Sequence, residues 1–200
     1  MSRRLTAFGL SAALALSAAV GPATAADTLP AFPIQFGGPF ELVDHNGQPR
    51  SDADFRGAFM LIYFGYTYCP DICPTNLDTM SRALDLLDGE ADGVQPIFVS
   101  VDPARDTVAV MKDYVSYFHP DMIGLTGSEQ QIRAVAKAYR IHRAKVPLPD
   151  AEADDEYLVT HSPTTFLMGP DGAFVTLFPH DTTADFMAGA IRKYLRGADG

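Results

Sequence analysis

The sequence predicts an α/β fold in which strands and helices alternate along the chain. Residues 59–64 form a short apolar run of β-branched and aromatic side chains, which is typical of a buried strand. Residues 75–89 follow with apolar side chains at helical spacing, which indicates an amphipathic helix. The two cysteines, Cys69 and Cys73, lie between these elements. The order β-α-β-α and then β-β-α, with cysteines at the first helix of the core, points to a thioredoxin-like fold.

The other elements follow from the same patterns. Further short runs predict strands at residues 40–44, 94–101, 123–125, 163–168 and 173–178. Apolar side chains at helical spacing predict helices at residues 106–118, 128–139 and 183–195. The first strand enters a turn at His45-Asn46-Gly47, so we expect an N-terminal hairpin extension ahead of the core.

Residues 142–160 interrupt the alternation of strands and helices. They contain Pro147 and Pro149 and then an acidic run at residues 152–156, and they show no periodicity. We therefore expect an inserted loop before the last β-hairpin. A long loop within a compact domain tends to be functional, although its charges taken alone favour a solvated insertion.

Residues 1–25 have the three regions of a secretory signal peptide. Arg3 and Arg4 precede an apolar run at residues 5–20, and small residues follow at 23–25. A membrane anchor is the alternative, but the run is short and mostly alanine, below the roughly 20 strongly apolar residues that a span needs. We therefore expect export to the periplasm and one thioredoxin-like domain at residues 26–200. Because that compartment is oxidising, the cysteine pair needs a thiol reductant as a partner if it is to hold a metal.

The charge of the chain excludes one class of partner. The formal net charge is −10, and loss of residues 1–25 with their two arginines leaves 13 basic against 25 acidic side chains, or −12. So acidic a domain, without a basic cluster, is a poor nucleic-acid binder.

The cysteine spacing points to redox or metal chemistry. Residues at i and i+4 share one face of a helix, and we expect both thiols in a first helical turn, where the helix N-terminus lowers the pKa of a thiol. A structural disulfide is the alternative. It would close a very small ring and remove little loop entropy, so it would stabilise a domain of this size poorly.

A two-thiolate site is incomplete for most metals, and His161 is the best third ligand among five histidines. It lies at the end of the inserted segment, just before the first strand of the last hairpin. In thioredoxin-like folds the loop before that strand faces the cysteine helix. The remaining histidines are expected to be surface or capping residues: His45, His119, His142 and His180. Two thiolates and an imidazole suit Cu(I) or zinc, but structural zinc wants four ligands and an iron–sulfur cluster about four cysteines. Copper fits best.

Residues 68–74, Tyr-Cys-Pro-Asp-Ile-Cys-Pro, resemble the signature of the Sco/SenC family of copper-delivery proteins. Similar stretches in the same order lie at residues 37–40, 54–57, 101–107 and 157–162, so the resemblance covers residues 36–195. The resemblance implies that Cys69, Cys73 and His161 bind Cu(I), Cu(II) or both. It also implies delivery to the binuclear copper centre of cytochrome c oxidase subunit II. Family members often have Asp where this chain has Thr160, which could change docking or the tuning of His161.

Two alternatives to a metallochaperone remain open. A thiol–disulfide oxidoreductase would reduce client cysteines, and Pro163 to Leu167 resemble the segment that bears a cis-proline in thioredoxin-like reductases. Against it, three residues rather than two separate the cysteines, and His161 has no place in that chemistry. A copper or redox sensor would use the same ligands. A peroxidase is weaker, because Tyr66 replaces the usual threonine three residues before the reactive cysteine.

Overall fold

The computed structural model describes residues 35–149, 153 and 156–198. Within them, strands β1 to β9 lie at Glu41–Asp44, Pro49–Ser51, Phe59–Gly65, Val94–Ser100, Ile123–Thr126, Arg143–Pro147, Tyr157–His161, Thr165–Met168 and Phe174–Phe178. Helices α1 to α4 lie at Ile72–Leu87, Val108–Val115, Glu129–Ala138 and Ala184–Ala198. Each predicted helix and strand is present, with ends that differ by a few residues from the expected ones.

A seven-stranded sheet forms the centre of the fold, in the order β2-β1-β5-β4-β3-β8-β9. Strands β3, β4 and β5 are parallel and are connected by α1 and α2, whereas β8 and β9 add antiparallel to the β3 side. Every residue of β3 is buried, as expected for a central strand, and α1 packs on both β3 and α4. The thioredoxin-like fold is thereby confirmed, with both cysteines after β3.

Aromatic packing joins α3 to the sheet. The ring of Phe64 in β3 lies 5.0 Å from that of Tyr139, just after α3, and Tyr139 lies 5.5 Å from Phe166 in β8. All three side chains are buried. Full burial of one such side chain stabilises a fold by roughly 1.5–3 kcal/mol, so this cluster fixes the end of α3, where the chain enters the inserted segment.

The N-terminal hairpin extension is present as β1 and β2. The carboxylate of Asp44 closes its turn by accepting hydrogen bonds from the backbone N–H groups of Asn46 and Gln48, at 2.8 and 2.9 Å, and from Arg50 Nε at 2.9 Å. These bonds hold the pKa of Asp44 below its ordinary value, although burial opposes them. The hairpin extends the main sheet through β5.

The insertion before the last hairpin is present, but the expectation that it is irregular was wrong. Strands β6 and β7 pair antiparallel in a separate two-stranded sheet, with Arg143 opposite His161. Buried Tyr157 and Val159 alternate with exposed Leu158 and Thr160, a strand period that the prolines and acidic run obscured. Residues 150–152, 154 and 155 lie outside the described part of the chain.

The expected signal peptide at residues 1–25 lies outside the described residues and stays a prediction. Among the helices that are described, none is both long enough and apolar enough to cross a membrane.

Candidate metal centre

The cysteines lie where the central strand β3 gives way to α1. Gly65 ends β3, and a Cβ atom there would lie 2.8 Å from Sγ of Cys73, so only glycine lets the thiol pack against this backbone. Thr67 then ties the loop to the end of β4. Its hydroxyl donates to the buried carboxyl of Asp106 at 2.7 Å, and Ser100 donates to the same carboxyl at 2.6 Å. The carboxyl of Asp106 therefore links the start of the cysteine loop to the end of β4, two residues before Cys69.

The spacing of the two cysteines predicted that both lie in the first turn of a helix, and this prediction was wrong. The helix begins at Ile72, three residues earlier than predicted, with Asp71 as the flanking residue in a non-helical conformation. Cys73 is therefore in the first turn and fully buried, whereas Cys69 precedes the helix and is partly exposed. The backbone N–H of Cys73 donates to Sγ of Cys69 at 3.4 Å, so the two thiols still face each other.

His161 completes the cluster from the end of β7. Its Nε2 lies 3.3 Å from Sγ of Cys73, and the three potential ligand atoms of Cys69, Cys73 and His161 lie within 4.8 Å of one another. The other ring nitrogen, Nδ1, lies 3.3 Å from the carbonyl of Ser162. A proton on Nδ1 would donate to that carbonyl and leave the lone pair of Nε2 for a metal. The structure thus brings together the three residues that the sequence singled out.

The pKa values of the two thiols are shifted in opposite directions. A hydrogen bond from Cys73 holds the pKa of the Cys69 thiol well below its ordinary value, with His161 and the backbone N–H groups of Asp71 and Cys73 acting in the same direction. The pKa of Cys73 is raised by its interaction with the Cys69 sulfur and by burial. The sequence predicted a lowered pKa for both thiols, which is wrong for Cys73, because its contact with the Cys69 sulfur and its burial in the core both raise the pKa.

A polar chain behind the site was missed in the sequence. The hydroxyl of Tyr63 lies 3.9 Å from Sγ of Cys73 and accepts from Asn76 Nδ2 at 3.3 Å, while the same Nδ2 lies 2.8 Å from Nδ1 of His180. His180 is therefore not a plain surface residue. The available signal was Tyr63 itself, because a tyrosine in a fully buried strand needs a partner for its hydroxyl.

His45, His142 and Thr160, which the sequence analysis also considered, do not belong to the cluster of Cys69, Cys73 and His161. His45 accepts from the backbone N–H of Gly124 at 3.0 Å and joins β1 to β5, and His142 is exposed. Thr160 lies on the outer side of β7, where its hydroxyl donates to the carbonyl of Ala144, so it does not contact the thiols. No peptide bond of the described residues is cis, so the resemblance to a reductase segment does not extend to the bond before Pro163.

The cluster can perform two kinds of chemistry. Two sulfurs and one imidazole form a soft donor set that fits a thiophilic metal and leaves it with a low coordination number. A partly exposed thiolate beside a buried thiol can instead attack a disulfide, and the buried thiol can then resolve the mixed disulfide.

A sequence model of the family described as SCO1/SenC matches residues 29–196 of this chain. The protein sco1 of Schizosaccharomyces pombe is 45% identical over 161 residues, which cover 80% of this chain and 61% of that protein. The mitochondrial SCO2 homologue of Mus musculus is 42% identical over 160 residues, which cover 79% of this chain and 62% of the relative. The chain thus spans about three fifths of the length of these curated relatives.

Solved structures share the fold. Copper-bound ScoI of Arabidopsis thaliana is 39% identical and superposes with a TM-score of 0.75 over 81% of this chain and 99% of its own. Copper-bound ScoI of Bradyrhizobium japonicum is 42% identical, with a TM-score of 0.73 over 80% of this chain and 99% of its own.

Proposed function

The chain belongs to the SCO1/SenC family, and on that premise we propose that it is a copper metallochaperone for cytochrome c oxidase. The copper would be bound by Cys69, Cys73 and His161 and delivered to the binuclear copper centre of subunit II. The observation that carries the proposal is the convergence of these three donors within 4.8 Å at the end of the central strand.

The donor set favours copper over other metals. Thiolates prefer Cu(I), and an imidazole is also a good ligand for Cu(II), so this set can hold either ion. Within the described residues, no further His, Cys, Asp or Glu joins the cluster, so a closed four-ligand zinc site is not supported. Copper-bound relatives that are about 40% identical to this chain lend further support.

Delivery requires that the metal be reachable by a client. Cys69 is partly exposed, and the side chain of Tyr68 beside it is 59% exposed, so incoming ligands can approach from that side. Binding of Cu(I) by both sulfurs releases the thiol proton of Cys73, since Cys69 is already a thiolate at neutral pH, and transfer to the client returns that proton. A low coordination number would let client ligands bind before the last bond between the copper and this protein breaks.

We place the mature protein, residues 26–200, in the periplasm after removal of the signal peptide at residues 1–25. A thiol reductant then keeps Cys69 and Cys73 reduced, because the periplasm is oxidising. The excess of acidic side chains argues against nucleic acid as a partner.

The test is an anaerobic Cu(I) and Cu(II) titration of the reduced mature protein beside the single variants Cys69→Ser, Cys73→Ser and His161→Ala. We expect one copper per chain in the parent and weaker binding in every variant. Stoichiometric transfer to the copper-free soluble domain of oxidase subunit II would then establish delivery. Copper binding that is indifferent to all three replacements would exclude this site.

The asymmetry of the two thiols favours thiol–disulfide exchange as a second function. The Cys69 thiolate would attack a client disulfide, and Cys73 would then displace the remaining client thiol. This leaves a Cys69–Cys73 disulfide, which the thiol reductant must reduce back to two thiols. Trapping would distinguish it: Cys73→Ser should accumulate a mixed disulfide with an oxidised client, and His161→Ala should leave the exchange rate within about twofold of the parent.

A further inference from the structure

Arg105 connects the two segments that carry the candidate ligands. It lies in the loop after β4, and its side chain is only 14% exposed. Its Nε donates to Oδ2 of the fully buried Asp102 at 2.6 Å, and its Nη1 donates to the carbonyl of Tyr157 at 2.9 Å. The hydroxyl of Tyr157 donates to the other oxygen of Asp102 at 2.8 Å. Asp102 and Arg105 together therefore bind both the side chain and the backbone carbonyl of the first residue of β7.

The guanidinium also contacts tyrosine rings from both segments. Its Cζ lies 3.8 Å from the ring centroid of Tyr157, four residues before His161, and 4.8 Å from that of Tyr68, which precedes Cys69. The ring of Tyr66 is 5.8 Å away and lies 6.0 Å, edge to face, from the imidazole of His161. Planar guanidinium groups stack well on aromatic faces, so one side chain contacts both the cysteine loop and the histidine hairpin.

The histidine hairpin needs such an attachment. Strands β6 and β7 form their own two-stranded sheet, without backbone hydrogen bonds to the main sheet. An isolated two-stranded hairpin is marginally stable, so side-chain contacts must fix its position. On β6 the ion pair between Arg143 and Glu129 of α3 serves this purpose at 2.7 Å. The contacts of Arg105 and Asp102 with Tyr157 fix the position of β7, which carries His161.

We propose that Arg105 is a positioning residue that sets the place of His161 relative to Cys69 through Tyr157 and Tyr68. The proposal rests on the metal site proposed above. In this role Arg105 acts through Tyr157 and Tyr68 and is not itself a ligand. It determines whether the imidazole reaches the two sulfurs, and it therefore matters most for Cu(II), which relies on the imidazole more than Cu(I) does.

Two replacements and a control test this role. Arg105→Lys keeps the charge but loses the fork that bonds Asp102 and Tyr157 at once. The double variant Asp102→Asn/Arg105→Met removes the charges of this ion pair together, so Asp102 is not left behind as an unpaired carboxylate, and an asparagine oxygen can still accept from Tyr157. The control is Arg82→Met on α1, an arginine whose side chain is 67% exposed and which is paired loosely with Asp78 at 3.9 Å.

We expect Cu(II) affinity to fall roughly tenfold or more in both test variants, and Cu(I) affinity to change less than about threefold. The nitrogen signal of the imidazole in electron paramagnetic resonance should weaken, and amide exchange at residues 157–161 of the metal-free protein should accelerate. The control should match the parent in all measurements. Folded test variants with parental exchange at 157–161 and parental Cu(II) binding would overturn the proposal.

The exchange measurement separates this proposal from the proposed function. If the parent binds no copper, the metallochaperone proposal fails, yet faster exchange at 157–161 in the metal-free variants still supports the role of Arg105 in positioning the hairpin. If the parent binds copper and exchange at 157–161 is the same in all variants, the role of Arg105 fails and the metallochaperone proposal stands.

Discussion

Nε2 of His161 lies 3.3 Å from Sγ of Cys73, although 88 residues separate them in the chain. The thiol is buried in the first turn of α1, and the imidazole is carried by a hairpin outside the main sheet. The site therefore has one fixed part and one part that is attached by side chains. A site of this kind can release its metal by moving the attached part, at the cost of the packing of Tyr157 and Val159 against the core.

Replacement of His161 by Ala should weaken Cu(II) binding at least about tenfold and Cu(I) binding less, because imidazole is a good ligand for Cu(II) while two thiolates suffice for Cu(I). Exchange of the Cys69–Cys73 pair with a small disulfide should remain within about twofold of the parent, since the thiols stay in place. Competition titrations with chelators of each ion measure the two affinities. His142→Ala, at an exposed histidine, is the matched control. Parental affinity for both ions in His161→Ala would show that His161 is not a ligand.

Alkylation should distinguish the two thiols by their pH dependence. The lowered pKa of Cys69 means that its thiolate is already formed at neutral pH, so its rate with iodoacetamide should change little between pH 6 and 8. An ordinary thiol with a pKa near 8.5 gains roughly tenfold per pH unit over that range. Cys73 should react slowly throughout, because it is buried and its pKa is raised. Peptide mapping gives both rates, with the denatured protein as reference, and a steep rise for Cys69 would contradict the assignment.

Copper should bind only the reduced protein. Cys69 and Cys73 face each other closely enough to form a disulfide after small movements, and a disulfide sulfur is not a thiolate ligand. Oxidation should therefore abolish Cu(I) binding, and reduction should restore it. The measurement is a titration of the oxidised, reduced and re-reduced protein. Equal affinity before and after reduction would place the copper elsewhere.

Gly65→Ala should disturb the site from within the core. The added Cβ would lie 2.8 Å from Sγ of Cys73, so the thiol must move away from its position near His161. We expect a loss of about 1–3 kcal/mol in the free energy of unfolding, as is typical of overpacking, and weaker Cu(I) binding. Gly89→Ala is the control, because a Cβ there meets nothing within 4 Å. Parental copper affinity in Gly65→Ala would mean that Cys73 does not need its buried position.

The fold and the residues of the candidate site could be predicted from local patterns. The apolar run of β3 and the helical spacing after it place the cysteines at a strand end, and the position of His161 before the last hairpin points to the same place. The acidities of the thiols could not be predicted, because they depend on the burial of Cys73 and on its contact with Cys69. The network of Tyr63, Asn76 and His180 also escaped prediction, since 104 residues separate the last two.

The strands of the inserted segment escaped prediction for another reason. Their alternation is short, and Pro147 ends β6 where a proline is tolerated in an edge strand. Arg105, Asp102 and Glu129 provide polar contacts that hold this hairpin to the domain, and all three are remote in sequence from the strands they contact. Local periodicity therefore predicted a loop where tertiary contacts stabilise strands.

The last prediction concerns the motion of this hairpin. Metal-free β7 pairs with β6 in a separate two-stranded sheet and is attached to the main sheet through side-chain contacts, so the amides of residues 157–161 should exchange faster than those of the main sheet. Binding of copper by His161 adds a bond between the hairpin and the cysteine loop, and exchange there should slow, whereas α2, at Val108–Val115, should change little. Ordering the hairpin costs conformational entropy, and this cost lowers the free energy gained on metal binding. The weaker binding favours release when a client binds the copper.

Hydrogen exchange followed by mass spectrometry, with and without copper, measures this motion. Cys73→Ser is the control, since it keeps the hairpin but removes a donor, and copper should not slow its exchange. Slower exchange at 157–161 only in the parent supports an opening of the site at the histidine. Equal exchange with and without copper in the parent would mean that His161 is held in place before the metal arrives, and release would then depend on the exposed side of Cys69.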